Sequence, residues 1–540
     1  MFLFLTTLWF FWELKYVLFW LYLWQLKEYH FGRFVDHFST SKGKKLLFGY
    51  AQIFKLFLLL FLLLNNSLFS YLFSILFIVY SVECILFLRQ LFLKSFKKPV
   101  GTYKILFLSL ISFAVVIVFL KWIFSFKDEL QVPWLITFDI LTPVIISAIV
   151  LLFQPGFVAM RKKTLHQATE KIKKIKSVSG LRVIAITGSY GKTSTKEFLA
   201  TILSKKYKVL STKEHQNSEI GIARAILNDL NPSHDFFIAE VGAYNKGKVK
   251  EVCRMIMPKI GVVTGINQQH LALFGSMENL LSAEGGGELL ESLPKDGIIF
   301  VNGENKYCLD LIKKSNKLPE AQEKIYALTK KSVNADILAD GIDVKKNSVS
   351  FLAMNRKNEM AHFGAKVLGE HNVQNLLGAI LVANELGMSF EEIASALQDI
   401  KQNQSGMVLK NGKHGMNIID SSYSANPDGV VADLEYLKIF PNKKIIVMPC
   451  LIELGKESGI IHQRLGKKIG EVCDMAIITS KDYFSEIKKG AMSAGMAEKN
   501  VILNENPQEI YSAITTFCKS DDAVLLEGRV PKELVSLLSK

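Results

Sequence analysis

Five long apolar runs occupy most of the first 158 residues, and they restrict this part of the chain to helices that can cross a membrane. Each run approaches or exceeds the roughly 20 residues that span a bilayer as a helix. Inside a bilayer the backbone amides find no water, so a single segment must satisfy them internally. We therefore predict a membrane domain at 1–158 with about five transmembrane helices. The runs are Leu3–Leu23, Leu46–Leu64, Leu68–Leu93, Ile105–Phe124 and Val132–Phe153.

The basic residues alternate between the connections of these runs. Residues 27–45, 89–104 and 161 onward are rich in lysine and arginine, whereas 65–66 are uncharged and 127–129 are nearly neutral. The positive-inside rule then places the N-terminus outside and everything after residue 158 in the cytoplasm. We therefore expect a multi-pass protein of the cell membrane with cytoplasmic catalytic domains. Glu13 and Lys15 lie inside the first run, either as a headgroup or proton site or as polar residues that pair with another helix.

The net charge of +15 does not indicate nucleic-acid binding. Residues 1–165 hold 17 Lys and Arg against 7 Asp and Glu, so most of the excess belongs to the hydrophobic part. That distribution is typical of topological signals and of attraction to a lipid bilayer. The six cysteines form no C-x-x-C pair, which argues against a zinc or redox motif.

Strands and helices alternate after a lysine-rich segment that we interpret as a juxtamembrane linker, 159–180. Apolar stretches such as Val183–Thr187, Phe236–Glu240 and Ile260–Thr264 are separated by helical patterns. This alternation is typical of a mostly parallel α/β sheet. We predict a central α/β domain at 181–402 and a Rossmann-like C-terminal domain at 403–540.

A glycine turn between the first of these strands and a helix has the features of a phosphate-binding loop. Gly188 and Gly191 let backbone N–H groups approach phosphate oxygens, Lys192 can reach the terminal phosphates, and the Thr193 hydroxyl can bind Mg²⁺. A full Walker A sequence needs a glycine at position 186, which is isoleucine here. The compact form G-x-x-G-K-[ST] is narrower, and it predicts ATP contacts by Gly188, Ser189, Gly191, Lys192, Thr193 and Ser194.

Seven segments in order resemble motifs of the Mur ligase family, the ATP-dependent ligases that build the peptidoglycan stem peptide. They are similar in detail to the branch that adds D-alanyl-D-alanine to the UDP-muramoyl tripeptide, and the resemblance covers roughly 181–535. The segments are the glycine loop, Thr212–Gly221 (TKEHQNSEIG), Phe237–Gly242 (FIAEVG), Val263–Ser276 (VTGINQQHLALFGS), His371–Asn375 (HNVQN), Ile419–Pro427 (IDSSYSANP) and Leu451–His462 (LIELGKESGIIH).

The resemblance implies an acyl-phosphate ligation that uses ATP and Mg²⁺. A carboxylate takes the γ-phosphoryl group and an amine then attacks, so lysine and metal must offset converging negative charge. By resemblance, Glu240 and His270 hold metal with Thr193, Asn375 meets the adenine, and Asp420 contacts the nucleotide from the last domain. From the residues alone, each of the last three also fits a local role: a loop hydrogen bond for His270, backbone capping for Asn375 and an Asx-turn for Asp420.

The sequence departs from the family pattern in three places. The membrane domain stands where the family has a UDP-binding domain, so both a UDP-linked and a lipid-linked acceptor stay open. The family's lysine after F-G-S, which becomes carbamylated, is missing from Ser282–Leu289, and our hypothesis is that Glu284 supplies the carboxylate directly. An equally simple interpretation makes Glu284 a charge at a helix N-terminus. In the last domain, Gly406-Met407 replaces Gly-Arg and Glu527-Gly528-Arg529 replaces K-G-S.

The sequence favours a membrane-anchored amide ligase that joins an amino-acid or dipeptide amine to a peptide or glycopeptide carboxylate. We expect Lys192, Glu240, His270 and Glu284 to carry catalysis. A poly-γ-glutamate-type synthetase is the alternative within the same class. A non-catalytic scaffold with a degenerate ligase fold is a different class. A nucleotide-driven transporter is disfavoured because no segment resembles L-S-G-G-Q.

Overall fold

The computed structural model describes the chain except residues 1, 28, 40, 65–68, 94–95, 214–215, 244, 269, 316–321, 329–333, 424 and 540. Glu214, His215, Gln269 and Ser424 belong to motifs quoted above and lie outside the described residues. The chain divides into two compact units, 1–162 and 163–540.

Within its described residues, the first unit contains helices and no strands. Its helices are α1 (Phe2–Leu26), α2 (Phe31–Asp36), α3 (Ser41–Phe48), α4 (Tyr50–Leu64), α5 (Phe69–Phe92), α6 (Tyr103–Ile123) and the start of α7 (Asp128–Ser179). Five helical segments are long and apolar enough to cross a membrane: 2–26, 43–62, 73–92, 103–123 and 130–179. Large apolar side chains such as Leu152 and Leu110 remain about 70% exposed on this unit. Exposed leucines of this kind are expected on a surface that faces lipid.

The second unit contains two α/β sheets, as the sequence pattern predicts, and the fold class is confirmed. The strands of the first sheet are β1 (Arg182–Thr187), β2 (Val209–Ser211), β3 (Phe236–Glu240), β4 (Ile260–Val263), β5 (Ile298–Asn302), β6 (Gln322–Ala327), β7 (Ile337–Val344), β8 (Val349–Asn355) and β9 (Met360–Ala365). Those of the second are β10 (Val408–Asn411), β11 (Asn417–Ser421), β12 (Lys444–Met448), β13 (Met475–Ile478), β14 (Val501–Leu503) and β15 (Ala523–Glu527).

The helices of this unit connect and cover the two sheets. They are α8 (Lys192–Leu203), α9 (Glu219–Asn228), α10 (Lys248–Ile256), α11 (Leu271–Phe274), α12 (Met277–Ser282), α13 (Gly287–Leu290), α14 (Lys306–Ser315), α15 (His371–Glu385), α16 (Phe390–Leu397), α17 (Pro427–Leu437), α18 (Ser458–Val472), α19 (Phe484–Ser493), α20 (Pro507–Phe517) and α21 (Lys532–Leu538).

The first sheet has the order β2-β3-β1-β4-β5-β6-β7-β8-β9. Strands β2 to β7 pair in parallel, and β7, β8 and β9 continue the sheet as an antiparallel meander. Alternate residues of β1 enter different cores: Ile184 and Ile186 pack on one face, Val183 and Ala185 on the other. This two-residue alternation gives the sheet a helical layer on each side. The carboxyl ends of β1, β3 and β4 therefore lie at one edge, where open α/β sheets bind ligands.

The second sheet has the order β10-β11-β15-β12-β13-β14 and is parallel except for β10. Neighbouring residues of β11, Ile418 and Ile419, again enter separate cores. The segment interpreted as a linker is part of the continuous helix α7. Within the second unit, its Ala168, Ile172 and Ile175 are buried in the core on one face of the first sheet.

Candidate active site

The glycine loop lies between β1 and α8 and is closely surrounded by backbone and side chains. Gly191 precedes α8 with φ of 76°, and a Cβ atom there would lie 2.5 Å from Asn375 Oδ1. A Cβ at Gly188 would lie 2.4 Å from Thr264 Oγ1. The Ser189 N–H donates to the Gly265 carbonyl at 2.7 Å. Larger residues at either glycine would displace the loop, so this path of the backbone depends on both.

Lys192, the first residue of α8, folds its side chain back over this loop. Its Nζ lies 2.5 Å from the Gly188 carbonyl oxygen and 3.4 Å from that of Ser189. Thr193 and Ser194 follow in the first turn of the helix, where N–H groups and the helix dipole favour an anion. The ammonium group, the helix N-terminus and the predicted Thr193 ligand therefore occupy one location.

Glu284 joins the glycine loop to His270. The Ser189 hydroxyl donates to Glu284 Oε2 at 3.1 Å, and His270 Nδ1 lies 2.9 Å from Oε1. Glu284 is 1% exposed. It lies in the turn between α12 and α13, so its carboxylate reaches the phosphate-binding loop directly.

The second glutamate of the same segment has a different function. Glu288 Oε1 and Oε2 accept from the N–H groups of Gly247 and Lys250, at 2.5 and 2.9 Å, at the start of α10. Glu288 thus compensates the N-terminal end of a helix. That is the role the alternative interpretation gave to Glu284, whose carboxylate instead contacts the side chains of Ser189 and His270.

Glu240, at the carboxyl end of β3, lies beside β1 because Ile186 is its register partner. Asn217 Nδ2 donates to Glu240 Oε1 at 3.2 Å, and Lys196 Nζ lies 3.7 Å from Oε2. Lys196 is fully buried and also donates to the Thr212 carbonyl at 2.7 Å. Hydrogen-bond donors and a nearby cation of this kind reduce the free-energy cost of burying a carboxylate.

Asn375 packs against the glycine loop from α15. Its Oδ1 lies 3.4 Å from the Thr195 hydroxyl, and its Nδ2 donates to Asn372 Oδ1 at 3.2 Å. Thr195 is in the first turn of α8, so Asn375 borders the start of that helix.

Asp420, at the end of β11, has its own local partners. Lys410 Nζ lies 2.6 Å from Oδ2, and the Ser422 N–H and hydroxyl donate to Oδ1. Burial raises the pKa of Asp420, but the hydrogen bonds from Lys410 and Ser422 outweigh it, so the pKa falls below its ordinary value. The bond to the Ser422 N–H is an Asx-turn, the local role that the residue pattern also allowed.

A loop of the last domain brings a further carboxylate towards the site. Glu453 Oε2 lies 4.0 Å from His270 Nε2, and Glu453 has φ of 69°. His462 supports this loop, because its Nε2 accepts from the Leu451 N–H at 2.9 Å and its Nδ1 lies 2.6 Å from the Ser458 carbonyl. Those bonds require a neutral ring with the proton on Nδ1. Burial lowers the pKa of His462, which favours that neutral form.

The central and last domains also meet through Asn267. Its Nδ2 donates to Asn426 Oδ1 at 2.9 Å and to Asp428 Oδ2 at 3.1 Å, at the start of α17. Asn267 follows β4, so this contact joins the edge that carries the glycine loop to the last domain.

The structure brings several of the predicted residues together, whereas the described contacts of Asp420 are with Lys410 and Ser422. Lys192, Ser189, Glu284 and His270 are in contact with one another or through the glycine loop, whereas Glu240 lies on the adjacent strand with Lys196. Among the described residues, no three His, Cys, Asp or Glu side chains lie close enough together to hold a metal ion. The hydroxyl of Thr193 and the carboxylates of Glu240 and Glu284 are the oxygen donors that suit Mg²⁺, and imidazole nitrogen suits it less well.

The sequence did not point to Lys196 or Glu453 as residues of the site. It also did not predict the contact between Ser189 and Glu284. Lys196 follows Lys192 by four residues and therefore lies on the same side of α8. Glu453 lies in the segment Leu451–His462, which resembles a family motif, but the resemblance alone assigns no role to its carboxylate.

Comparison with known protein families supports the resemblance to the Mur ligases. The Mur ligase middle domain matches residues 186–383, and the Mur ligase glutamate ligase domain matches residues 407–530. The chain belongs to the Mur ligase family. The matched segments contain every predicted site residue, from the glycine loop to Asp420.

The relatives that this Mur ligase resembles include UDP-N-acetylmuramoyl-tripeptide–D-alanyl-D-alanine ligases. The Escherichia coli protein is 28% identical over 286 residues, which cover 53% of this chain and 61% of that protein. The Bacillus subtilis protein is 27% identical over 292 residues, covering 54% and 60%. The chain therefore spans about three fifths of the length of these relatives.

Solved structures share the fold. MurF from Acinetobacter baumannii superposes with a TM-score of 0.62 at 24% identity, over 70% of this chain and 81% of that one. MurF ligase from Thermotoga maritima, in complex with ADP, gives 0.60 at 23% identity, over 70% and 83%.

Proposed function

We propose that this protein is a membrane-anchored, ATP-dependent amide ligase of peptidoglycan precursor synthesis. Its amine substrate is a dipeptide such as the D-alanyl-D-alanine of its relatives, and its acceptor is the carboxylate of a muramoyl peptide. The observation that carries this proposal is the contact of Glu284 with both Ser189 of the glycine loop and His270. It places a buried carboxylate beside the predicted triphosphate site in a family whose members act as peptide ligases.

The proposed chemistry has two steps. An oxygen of the acceptor carboxylate attacks the γ-phosphorus of ATP, and ADP leaves with the electron pair of the broken P–O bond. The amine nitrogen then attacks the acyl carbon, phosphate leaves, and the amine loses a proton to a base. Lys192 and the N-terminal amides of α8 offset the charge of the phosphates. The Thr193 hydroxyl and the carboxylates of Glu240 and Glu284 would each offer an oxygen ligand to Mg²⁺, and the metal would supply further positive charge at the phosphates.

The membrane unit fits a role as anchor. Five helical segments are long and apolar enough to span a bilayer, and the basic connections favour a cytoplasmic second unit. An enzyme held in this way would meet either a soluble UDP-linked acceptor or a lipid-linked one at the membrane surface.

The test is product formation by the full chain in detergent or lipid nanodiscs. ATP, Mg²⁺ and D-alanyl-D-alanine are supplied with a UDP-linked or a lipid-linked muramoyl tripeptide, and the product mass and released phosphate are measured. We expect phosphate release that requires both amine and acceptor, with a new amide product. Hydrolysis that ignores the amine would instead indicate an ATPase. No ATP turnover with any substrate would indicate a scaffold. A glutamate amine used in place of the dipeptide would indicate the poly-γ-glutamate-type alternative.

Two matched pairs of variants connect this activity with the glycine loop. Lys192→Ala should abolish turnover, whereas Lys174→Ala, at an exposed lysine of α7, should not change it. Gly191→Ala adds a Cβ that meets Asn375, whereas Gly180→Ala has a similar φ of 67° and nothing within 4 Å. Both alanine variants strain the backbone by about 1–2 kcal/mol. Only the first should lose ATP binding in calorimetry.

A further inference from the structure

A group of polar side chains lies inside the membrane unit, enclosed by its helices. We call Glu13, Lys55, Glu83, Asp139 and Thr142 the mid-span cluster. Glu13, Lys55 and Asp139 are fully buried, and Glu83 is 13% exposed at its side chain. Each acidic residue lies near the middle of the apolar part of its helix, α1, α5 or α7, and Lys55 lies similarly on α4. Ionisable groups at that depth are expensive, and they face the bundle interior when they serve a function.

Asp139 is well satisfied as a charged carboxylate. Lys55 Nζ lies 2.7 Å from its Oδ2, the Tyr80 hydroxyl donates to the same oxygen at 3.1 Å, and Trp12 Nε1 donates to Oδ1 at 3.2 Å. One cation and two neutral donors from three helices therefore converge on one carboxylate. This pairing explains how a lysine can be buried without water.

The remaining charges do not balance. Lys55 also contacts Glu83 at 3.1 Å, and the half-buried Lys15 interacts electrostatically with Glu83. Two lysines thus interact with Asp139 and Glu83, and no lysine among the described residues lies in a salt bridge with Glu13. The charged groups that act on Glu13 are Asp139 of α7 and Lys55 of α4. Helix α6 also packs on α1, but its only charged residues, Lys104 and Lys121, lie near its ends.

The hydrogen bonds of Thr142 indicate the state of Glu13. Thr142 Oγ1 lies 2.5 Å from Glu13 Oε1 and 2.9 Å from the Phe138 carbonyl oxygen. A hydroxyl group has a single hydrogen and cannot donate to both acceptors. If Glu13 carries a proton, it donates to Thr142, which then donates to Phe138, and every short contact is satisfied. Glu13 Oε2 has no hydrogen-bond partner in the described part of the chain. A buried carboxylate oxygen without a partner is far more costly when the group is ionised, so this observation also favours the protonated form.

We propose that Glu13 is a proton-binding residue of the membrane unit, which makes this unit a proton-responsive module as well as an anchor. In the bound state an O–H bond joins the proton to Glu13, and the residue is neutral. On release the proton passes to bulk water, and three carboxylates then face two lysines. Lys55 can neutralise Glu13 only by leaving Asp139 or Glu83, so release is coupled to repacking of α1 against α4, α5 and α7. This inference is independent of the ligase activity.

Infrared difference spectroscopy of the full chain in neutral-lipid nanodiscs tests this assignment. The carboxylic-acid C=O band of a buried, protonated glutamate is followed during an alkaline titration. The amide in Glu13→Gln imitates the neutral acid and should fold normally. Thr142→Val removes the hydroxyl that accepts from Glu13 and donates to the Phe138 carbonyl. Glu170→Gln alters an exposed glutamate of α7 and serves as the matched control.

We expect the wild-type protein to show one such band that disappears reversibly as the pH rises. The band should be absent from Glu13→Gln, shifted to higher frequency in Thr142→Val, and unchanged in Glu170→Gln. Identical spectra for the wild type and Glu13→Gln would mean that Glu13 is ionised and would overturn the proposal. A band that persists until the protein unfolds would also overturn it, because the acid would then exchange no proton. Loss of the band at neutral pH on adding Na⁺, K⁺ or Mg²⁺ would make the cluster a cation site instead.

Discussion

Glu284 lies in the segment where the family resemblance led us to expect a lysine that becomes carbamylated. Its contacts decide whether its carboxylate can take the place of that modified lysine. A carbamylated lysine carries a carboxylate on a long side chain, whereas Glu284 brings a carboxylate on a short one. The backbone compensates, because the turn before α13 holds Glu284 within hydrogen-bonding distance of Ser189 and His270. The sequence alone pointed to this residue, because Glu284 lies in the segment Ser282–Leu289, from which the family's lysine is missing.

We predict that Glu284→Gln lowers turnover about 10- to 100-fold, the usual cost of removing a group that orients a metal-site residue. The amide keeps the size of the side chain but removes the charge that faces His270. The assay is phosphate release with bicarbonate supplied, so that a carbamylated lysine elsewhere would be revealed. Glu288→Gln is the control, because the Glu288 carboxylate accepts from the backbone N–H groups of Gly247 and Lys250 at the start of α10. Near-normal turnover of Glu284→Gln would contradict the assignment.

A second buried carboxylate, Glu527, makes stability depend on pH. Burial, and then the neighbouring Asp433, raise the pKa of Glu527 well above 4.5. Below pH 4.5 the group is protonated in the folded and unfolded chain alike. As the pH rises, the unfolded chain loses this proton first, so the folded state holds more protons and stability falls until the folded pKa is passed.

Glu527→Gln should remove this pH dependence. We expect the unfolding midpoint of the wild type to fall relative to that of the variant as the pH rises above 4.5. Glu505→Gln, at an exposed glutamate near β14, should follow the wild type. Thermal unfolding followed by circular dichroism measures the difference. Parallel curves for the wild type and Glu527→Gln would show that the proton is not retained on folding.

At the scale of elements, close packing of two helices stabilises the last domain. A Cβ at Gly490 of α19 would lie 2.1 Å from the Gln463 carbonyl oxygen and 2.7 Å from the Lys467 nitrogen of α18. A Cβ at Gly466 would similarly meet the Ile487 carbonyl oxygen at 2.2 Å. The two helix backbones therefore touch through glycines, and neither can move without disturbing the other.

Gly490→Ala should therefore destabilise this domain by about 1–3 kcal/mol, the usual cost of overpacking. Gly459→Ala, on α18, meets nothing within 4 Å and should be neutral or stabilising by up to about 1 kcal/mol. Both variants replace a helical glycine, so only the contact distinguishes them. Urea unfolding followed by circular dichroism provides the comparison, and equal midpoints would show that α18 and α19 separate without cost.

The positions of most strands in the chain could be predicted from the sequence. Which strands pair with one another in the sheet could not. Apolar runs bounded by turn residues located β1, β3 and β4 to within one residue, because buried parallel strands have a strong local signal. The pairing of β7, β8 and β9 as an antiparallel extension could not be predicted, since pairing depends on residues distant in sequence. The contact of Lys196 with Glu240 was missed for the same reason.

At the scale of the whole molecule, the order of motifs predicted the two α/β domains, and the apolar runs predicted helices. The segment 159–180 was interpreted as a linker because of its lysines. In the structure Lys173 and Lys174 of α7 are exposed, whereas Ile172 and Ile175 are buried in the core on one face of the sheet. Lys171 and Lys176 donate to the Leu227 and Met257 carbonyls. Lysine content alone could not distinguish an exposed linker from an amphipathic helix.

The orientation of the membrane unit leads to the last prediction. The positive-inside rule places the connection after α5 in the cytoplasm and the one after α6 outside. Cysteine labelling can test this directly, because all six native cysteines are buried and should give little background. Ser125 and Lys98 are exposed, one in each connection. In intact cells, a membrane-impermeant maleimide should label Ser125→Cys at once and Lys98→Cys only after permeabilisation. The reverse pattern would place the glycine loop outside, away from cytoplasmic ATP, and the proposed ligase activity would then lack its energy source.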